Sequence, residues 1–380
     1  MKKYFLFICL FVFKFSSAQT DSSKLQISIL TCSPGNELYS IFGHTALRIV
    51  DSTNGSDIIY NYGTFDFEDP NFLMKFTRGK LDYFLSQEYS LDFFASYQFE
   101  GTTITEQILN LTFTQKNKIQ DALLKNLSGN NKFYKYDFLF DNCTTRIRDI
   151  LKNNASFICN TSLVKSNTTF RNMLYQYLDS GGMSWSKLGI DFLLGSKIDR
   201  TVTIEESTFL PDYLMFAIDS FNTKQQFISN RKTYPVTSLI TSSKNNQPLW
   251  VISILLVIVV ALYFIYKPKA QKILHILSYI LVLITGLLGL LLLFMWFGTD
   301  HKSCANNYNL LWALPTNIIG FYFIIKKSKY KNWYFNFATI LTFIFLCLWF
   351  VLPQEFNIAF LPFTLTMGFS YNSISKQNAK

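Results

Sequence analysis

Cys143 and His44 are the pair in this 380-residue chain best suited to covalent chemistry. A cysteine nucleophile needs a base that makes thiolate and a third polar group that holds the base in line. Cys143 stands in Asp141-Asn142-Cys143-Thr144-Thr145-Arg146-Ile147-Arg148-Asp149-Ile150-Leu151. The apolar residues after it, Ile147, Ile150 and Leu151, have the i, i+3, i+4 spacing of an amphipathic helix. Asp141 or Asn142 is a natural N-cap, since a side-chain oxygen there accepts a free backbone N–H. Cys143 then opens a helix, where the positive dipole end and unpaired N–H groups favour thiolate. A small buried cysteine in a packing helix is the competing reading, and this segment alone leaves the two balanced. His44 shifts the balance, because the other two histidines, His275 and His301, lie beyond residue 248.

The elements that must position this pair follow from pattern. Residues 25–30 read as a strand. His44, after Gly43, opens a β-rich run over 45–50; Asn54-Gly55 marks a hairpin, and 58–62 is its return strand. An odd-numbered hairpin loop sets Thr64 opposite His44, with Tyr62 and Asp66 as same-face neighbours. An even loop presents Gly63, Phe65 and Phe67. Asp66 or Tyr62 is the expected third group, with a structural role as the alternative for each. Residues 66–100 alternate aromatic and charged side chains, as a core-packing segment or as an acyl-chain groove or membrane-facing lid. Thr114 is placed to cap a helix over 115–127, closed by Gly129. An extended aromatic run over 133–140 leads into the Cys143 helix, and further helices are expected over 169–179, 186–194 and 211–221. Residues 222–248 are polar and read as a connector.

Composition divides the chain. Residues 19–248 carry 22 Lys and Arg against 23 Asp and Glu, so the net charge of +10 arises in the N-terminal 18 residues and beyond 248. That placement fits targeting and membrane flanks and excludes a nucleic-acid partner. Residues 1–18 carry Lys2 and Lys3, a short apolar run and Ser16-Ser17-Ala18, the layout of a secretory signal peptide; a retained anchor is the alternative. The six cysteines lack metal-ligand spacing, so no metal or organic cofactor is expected, and a Cys32–Cys159 bridge is possible in an oxidising compartment.

The second half parses into five apolar spans, over 249–266, 273–297, 308–325, 334–352 and 356–371. Lysines cluster after the first, third and fifth spans, whereas the loops after the second and fourth hold only Lys302. The positive-inside tendency then leaves the N-terminal domain outside and the C-terminus inside. The expected domains are 1–18, signal; 19–235, exported Cys–His domain; 236–248, linker; 249–371, transmembrane; and 372–380, cytoplasmic tail. This parse sets residues 299–307 on the outer face beside the Cys143 domain, for headgroup binding, domain docking or simple solvation.

His before Cys, with the histidine opening a strand and Asn-Cys opening a helix, resembles the circularly permuted papain-like group that includes NlpC-like hydrolases. A wider set of motifs resembles the Lnb family of bacterial lipoprotein N-acyltransferases: Ser33-Pro34-Gly35, Phe42-Gly43-His44-Thr45-Ala46-Leu47-Arg48, Tyr62-Gly63-Thr64-Phe65-Asp66-Phe67, Arg78-Gly79-Lys80, Asp141-Asn142-Cys143-Thr144-Thr145 and Phe209-Leu210-Pro211-Asp212-Tyr213-Leu214. His301, Asn307, Asn309 and Pro315 extend the likeness into the second half. The resemblance implies an α+β permuted papain-like (NlpC-like) periplasmic domain followed by an all-α five-span domain in the inner membrane. It implies that Cys143 and His44 are catalytic and that Arg78 and His301 contact substrate. The expected partners are a phospholipid acyl donor, a diacylated lipoprotein acceptor and the membrane. The expected chemistry is acyl transfer through a Cys143 thioester. A membrane-tethered NlpC-like peptidase or amidase, or a non-enzymatic scaffold, are the rival expectations. The first needs a polar cleft, and the second makes Cys143 dispensable.

Overall fold

The computed structural model describes residues 24–236 and 246–377. The signal-peptide expectation and most of the expected linker lie outside them. The N-terminal domain is built on an antiparallel sheet of seven strands: β1 (Leu25–Cys32), β2 (His44–Asp51), β3 (Ser56–Phe65), β4 (Asp82–Tyr89), β5 (Ile104–Leu109), β6 (Phe133–Lys135) and β7 (Ile228–Tyr234). Their spatial order is β6-β4-β3-β2-β1-β5-β7. β-branched and aromatic residues alternate along β1 to β3, so each strand offers an apolar row to both faces of the sheet.

On one face Ile27, Ile29, Leu47, Ile49, Tyr60 and Tyr62 pack against three helices: α3 (Phe113–Leu127), α4 (Cys143–Ala155) and α7 (Pro211–Gln225). On the other, Leu30, Cys32, Ala46 and Ile59 are covered by Phe93 of α2 (Ser90–Phe99). The short helix α1 (Phe72–Thr77) precedes β4. A second apolar cluster joins α5 (Phe170–Ser180) to Ile41 and Phe42, in the loop that delivers His44. The helix α6 (Ser184–Leu193) leaves this cluster for the second domain.

Two boundaries differ from the sequence expectation. Thr112, not Thr114, caps α3, in a reciprocal capping box with Gln115. The expected connector contains β7, an edge strand whose central residues are all exposed and which is held to β5 by backbone pairing. With no side-chain alternation, it leaves no periodic signal.

Among the described residues the second domain has five α-helices: α8 (Gln247–Phe264), α9 (Pro268–Phe297), α10 (Asn317–Ile325), α11 (Lys331–Leu348) and α12 (Phe360–Ser375). By length and composition α8 and α9 are able to cross a bilayer. The expected span over 308–325 is helical only in its second part; at 1.5 Å per residue α10 reaches about 13 Å, well short of a bilayer's hydrocarbon core. The chain before it folds instead into 3-10 turns at Lys302–Cys304 and Tyr308–Leu311. It packs into α9 at Gly289, where a β-carbon would lie 2.2 Å from Ala313 O. α12 runs to Ser375, so the expected tail begins later than 372.

The two domains are fastened by polar contacts. Arg171 of α5 is fully buried and pairs with Asp191 and Asp199, each at 2.7 Å. Asp191 Oδ2 accepts from Asn357 Nδ2 of the α11–α12 loop at 2.8 Å. Asn309 Nδ2 donates to Asp191 O and Asn307 Nδ2 to Phe192 O, at 2.9 and 2.8 Å. Gly195 N donates to Ser303 O at 2.9 Å. Phe192 packs against the contacting pair Trp312 and Phe360 of the helical domain. Residues 299–307 are therefore a docking loop and not a merely solvated one.

Candidate active site

Cys143 is the first residue of α4, and the cap that fixes it is saturated. Asn142 Oδ1 accepts from Thr145 N and Asn142 N donates to Thr145 Oγ1, both at 2.8 Å. Asn142 Nδ2 donates to Phe138 O and Phe209 O at 2.8 and 2.9 Å, tying the helix start to the segment before α7. Asp141, the other candidate cap, instead holds Arg146 in a two-pronged ion pair.

His44 begins β2 beside this helix start. Its Nε2–H donates to Asn61 Oδ1 at 2.6 Å, which leaves Nδ1 as the ring nitrogen available to Cys143, whose charge raises the His44 pKa. Asn61 Nδ2 donates to Glu88 Oε1 at 3.2 Å. A carboxylate only accepts, so Glu88 turns the Asn61 amide with its oxygen toward the ring. The Cys143 sulfur lies 3.8 Å from Thr144 Oγ1, and the Thr45 and Thr144 hydroxyls meet at 3.0 Å. Tyr97 of α2 lies parallel to the imidazole, with centroids 6.4 Å apart.

The sheet explains how a strand on one face of the core meets a helix on the other. Asp51 pairs with Ser56 and Leu47 with Tyr60, so the hairpin loop has four residues, an even number. Extending that register puts Gly63 opposite His44 and Asn61 on its diagonal. Gly63 has φ 95° at an irregularity in the β3–β4 ladder. A β-carbon there would already touch Cys143 Cβ at 3.8 Å and Tyr136 Cε2 at 3.6 Å. Bare backbone at this point leaves the sulfur room to reach the ring.

The electrostatics select one cysteine. Burial opposes the Cys143 thiolate, but the charge and hydrogen bond of His44, the Thr45 N–H and the Thr144 hydroxyl outweigh it, bringing the thiol down to about 7. Burial also opposes the imidazolium, yet the Cys143 thiolate, the bonds to Cys143 and Asn61 and the nearby Glu88 carry His44 above its usual value. Cys32 pairs directly with His44 across the β1–β2 ladder, but burial holds its thiol well above the usual range despite a bond to Tyr97. Two cysteines flank one imidazole, and only Cys143 is poised as thiolate. Cys32 and Cys159 are both free thiols.

The other expected site residues lie elsewhere. Tyr62 is buried beneath the sheet, its hydroxyl accepting from Asn126 Nδ2 at 2.6 Å. Asp66 is exposed and accepts from Glu68 N in a local turn. Neither contacts the ring; Asn61 holds the position expected for them. His301 Nε2 donates to Phe76 O and Thr77 O at 3.2 and 3.1 Å, capping the end of α1. Arg78 follows α1; its carbonyl accepts from Asp300 N at 2.9 Å and its side chain is exposed. Pattern reasoning passed over Asn61, Glu88 and Thr144. The one available signal was a polar Asn61 inside the apolar run 58–62. Among the described residues no cluster of His, Cys, Asp and Glu side chains could hold a metal ion.

A family model described as the Lnb N-terminal periplasmic domain matches residues 13–177, and one described as the Lnb transmembrane domain matches residues 240–380. No curated protein and no solved structure matches the chain. Both Lnb domains are thus present, in order, with the Cys–His pair inside the first: the chain belongs to the Lnb family, with a periplasmic N-terminal domain and a helical transmembrane domain.

Proposed function

We propose that this protein is a cysteine-dependent lipoprotein N-acyltransferase of the inner membrane, with a permuted papain-like periplasmic domain. The observation that carries the reading is the chain of contacts from Cys143 through His44 and Asn61 to Glu88, beside a domain that belongs in a membrane.

In the proposed reaction the Cys143 thiolate attacks an ester carbonyl of a phospholipid. The ester C–O bond breaks, the departing alkoxide takes the His44 proton, and a lysophospholipid leaves behind a Cys143 thioester. The α-amine of a diacylated lipoprotein's N-terminal cysteine then attacks the thioester carbonyl. His44 takes the amine's proton, the C–S bond breaks, and thiolate returns beside imidazolium. The net change moves one acyl group to nitrogen and one proton to the lysophospholipid. Backbone N–H groups at the start of α4 would stabilise the oxyanion. The Asn61–Glu88 relay keeps the neutral imidazole oriented between the half-reactions, ready to accept the amine's proton. No cofactor takes part in this scheme.

The test is to incubate the purified protein in lipid nanodiscs with acyl-labelled phospholipid. A hydroxylamine-sensitive adduct on Cys143, absent in Cys143→Ser and His44→Ala and discharged onto a diacylated lipopeptide, is the expected result. An adduct discharged only to water makes the protein a lipase. No adduct, with cleavage of cell-wall peptides instead, supports the peptidase.

A further inference from the structure

α1 is built from Phe72-Leu73-Met74-Lys75-Phe76-Thr77, and none of these residues is buried. Leu73 is 73% exposed and Phe67, just before the helix, 72% exposed. A contiguous apolar surface on a water-facing domain demands an occupant. Its location limits what that occupant is. His301 and Asp300 grip the C-terminal end of α1, and the Gly79 backbone lies against the His301 ring. Those residues follow directly on α9, whose last rings, Trp296 and Phe297, stack at 4.9 Å with Phe297 largely exposed. α1 is thus held level with the end of a helix able to cross the bilayer, where hydrocarbon gives way to headgroups.

From α1 a row of rings leads inward. Phe76 stacks on Phe72 (6.0 Å between centroids) and Phe72 on Phe65 (5.8 Å). Phe65 meets Tyr83 edge-on (5.2 Å), and Tyr83 stacks on Tyr136 (4.7 Å). Tyr136 borders the Gly63 opening beside Cys143. Arg78 and Lys80, at the foot of the row, are exposed cations.

Resting on the acyl-transfer reading above, we infer that this row is the track along which an acyl chain of an outer-leaflet phospholipid reaches Cys143. The apolar face of α1 lies among the lipid chains, and Arg78 meets the phosphate. The row is continuous ring to ring, with apolar surface at the bilayer end and Tyr136 beside Cys143 at the other. It also gives the His301 cap a purpose, which is to keep the foot of the track at bilayer depth.

The test uses the full chain as its Cys143→Ser variant, in nanodiscs of phosphatidylethanolamine and phosphatidylglycerol doped with a phosphatidylethanolamine bearing a photoactivatable diazirine in one acyl chain. Expected are cross-links to Phe65, Phe72, Tyr83 and Tyr136, reduced about tenfold by Phe72→Asn, equivalent to about 1.4 kcal/mol. Label confined to α8–α12, or to Leu73 and Met74 with Tyr83 and Tyr136 unlabelled, overturns the track. Wild-type protein is assayed in parallel for the Cys143 thioester, from bilayer phospholipid and from a soluble short-chain nitrophenyl ester. Labelled track residues without any thioester sink the acyl-transfer reading and leave the track standing. Thioester without track labelling does the reverse. Phe72→Asn should lower acylation from bilayer lipid while leaving the soluble ester within twofold; an equal loss on both reduces the row to scaffolding.

Discussion

Asn61 accepts the Nε2–H of His44 at 2.6 Å from the diagonal position of the neighbouring strand, while the position directly opposite His44 is a bare Gly63. That offset lets one strand both orient the His44 ring and leave a gap beside Cys143. Asn61→Ala should fold normally and lower kcat about a hundredfold, the scale of a mispositioned proton-transfer group, with KM little changed. Steady-state transfer to a labelled lipopeptide measures it. A KM change with kcat intact assigns Asn61 to substrate binding instead.

The charges around the pair set a pH dependence. The reactive state is thiolate beside imidazolium. It forms as pH rises through about 7, where Cys143 loses its proton, and is lost at higher pH when His44 does. Alkylation of Cys143 by iodoacetamide should show its acid limb near pH 7. In His44→Ala that limb should move upward, because the charge and bond favouring thiolate are gone while burial remains. Glu88→Gln should leave the acid limb in place and draw the alkaline limb of acylation to lower pH, since a negative charge that supports imidazolium has been removed. Unmoved limbs in both variants would show that Cys143 is not paired with His44.

Gly63 is predicted to be intolerant of side chains for two reasons. A positive φ costs a β-branched residue about 1–3 kcal/mol, and the new atoms would enter the space beside Cys143. Gly63→Val should lower the unfolding temperature and slow Cys143 alkylation by more than the loss of folded protein explains. Alkylation at the wild-type rate would mean that sulfur and ring meet elsewhere.

At the domain joint, Arg171→Met leaves the buried Asp191 without its cation, a change expected to cost about 3–5 kcal/mol. Thermal unfolding in detergent should show a large fall, and Asp191→Asn in the same chain should recover part of it. His301→Ala, which removes only the cap on α1, should leave the unfolding temperature nearly unchanged and raise the KM for bilayer donor.

Much of this was written locally. The Cys143 helix depends on residues within a few positions of one another, so spacing is enough to find it, though spacing left Asp141 and Asn142 as alternative caps. The split into two domains is a matter of composition and was equally plain, and the motif set pointed to the Lnb family that both domain matches bear out. Asn61 was hidden because its role depends on the length of a turn and the diagonal of a ladder, which no residue type announces. β7 was hidden because an edge strand held by backbone bonds needs no apolar alternation. The short α10 was hidden because hydropathy counts apolar residues but is blind to a chain that folds back against Gly289. Short-range chemistry thus singled out Cys143 and His44 as the candidate pair. Only the packed sheet could choose the base's partner, because hydrogen bonds between strands are decided by register, a property of two segments together and of neither alone.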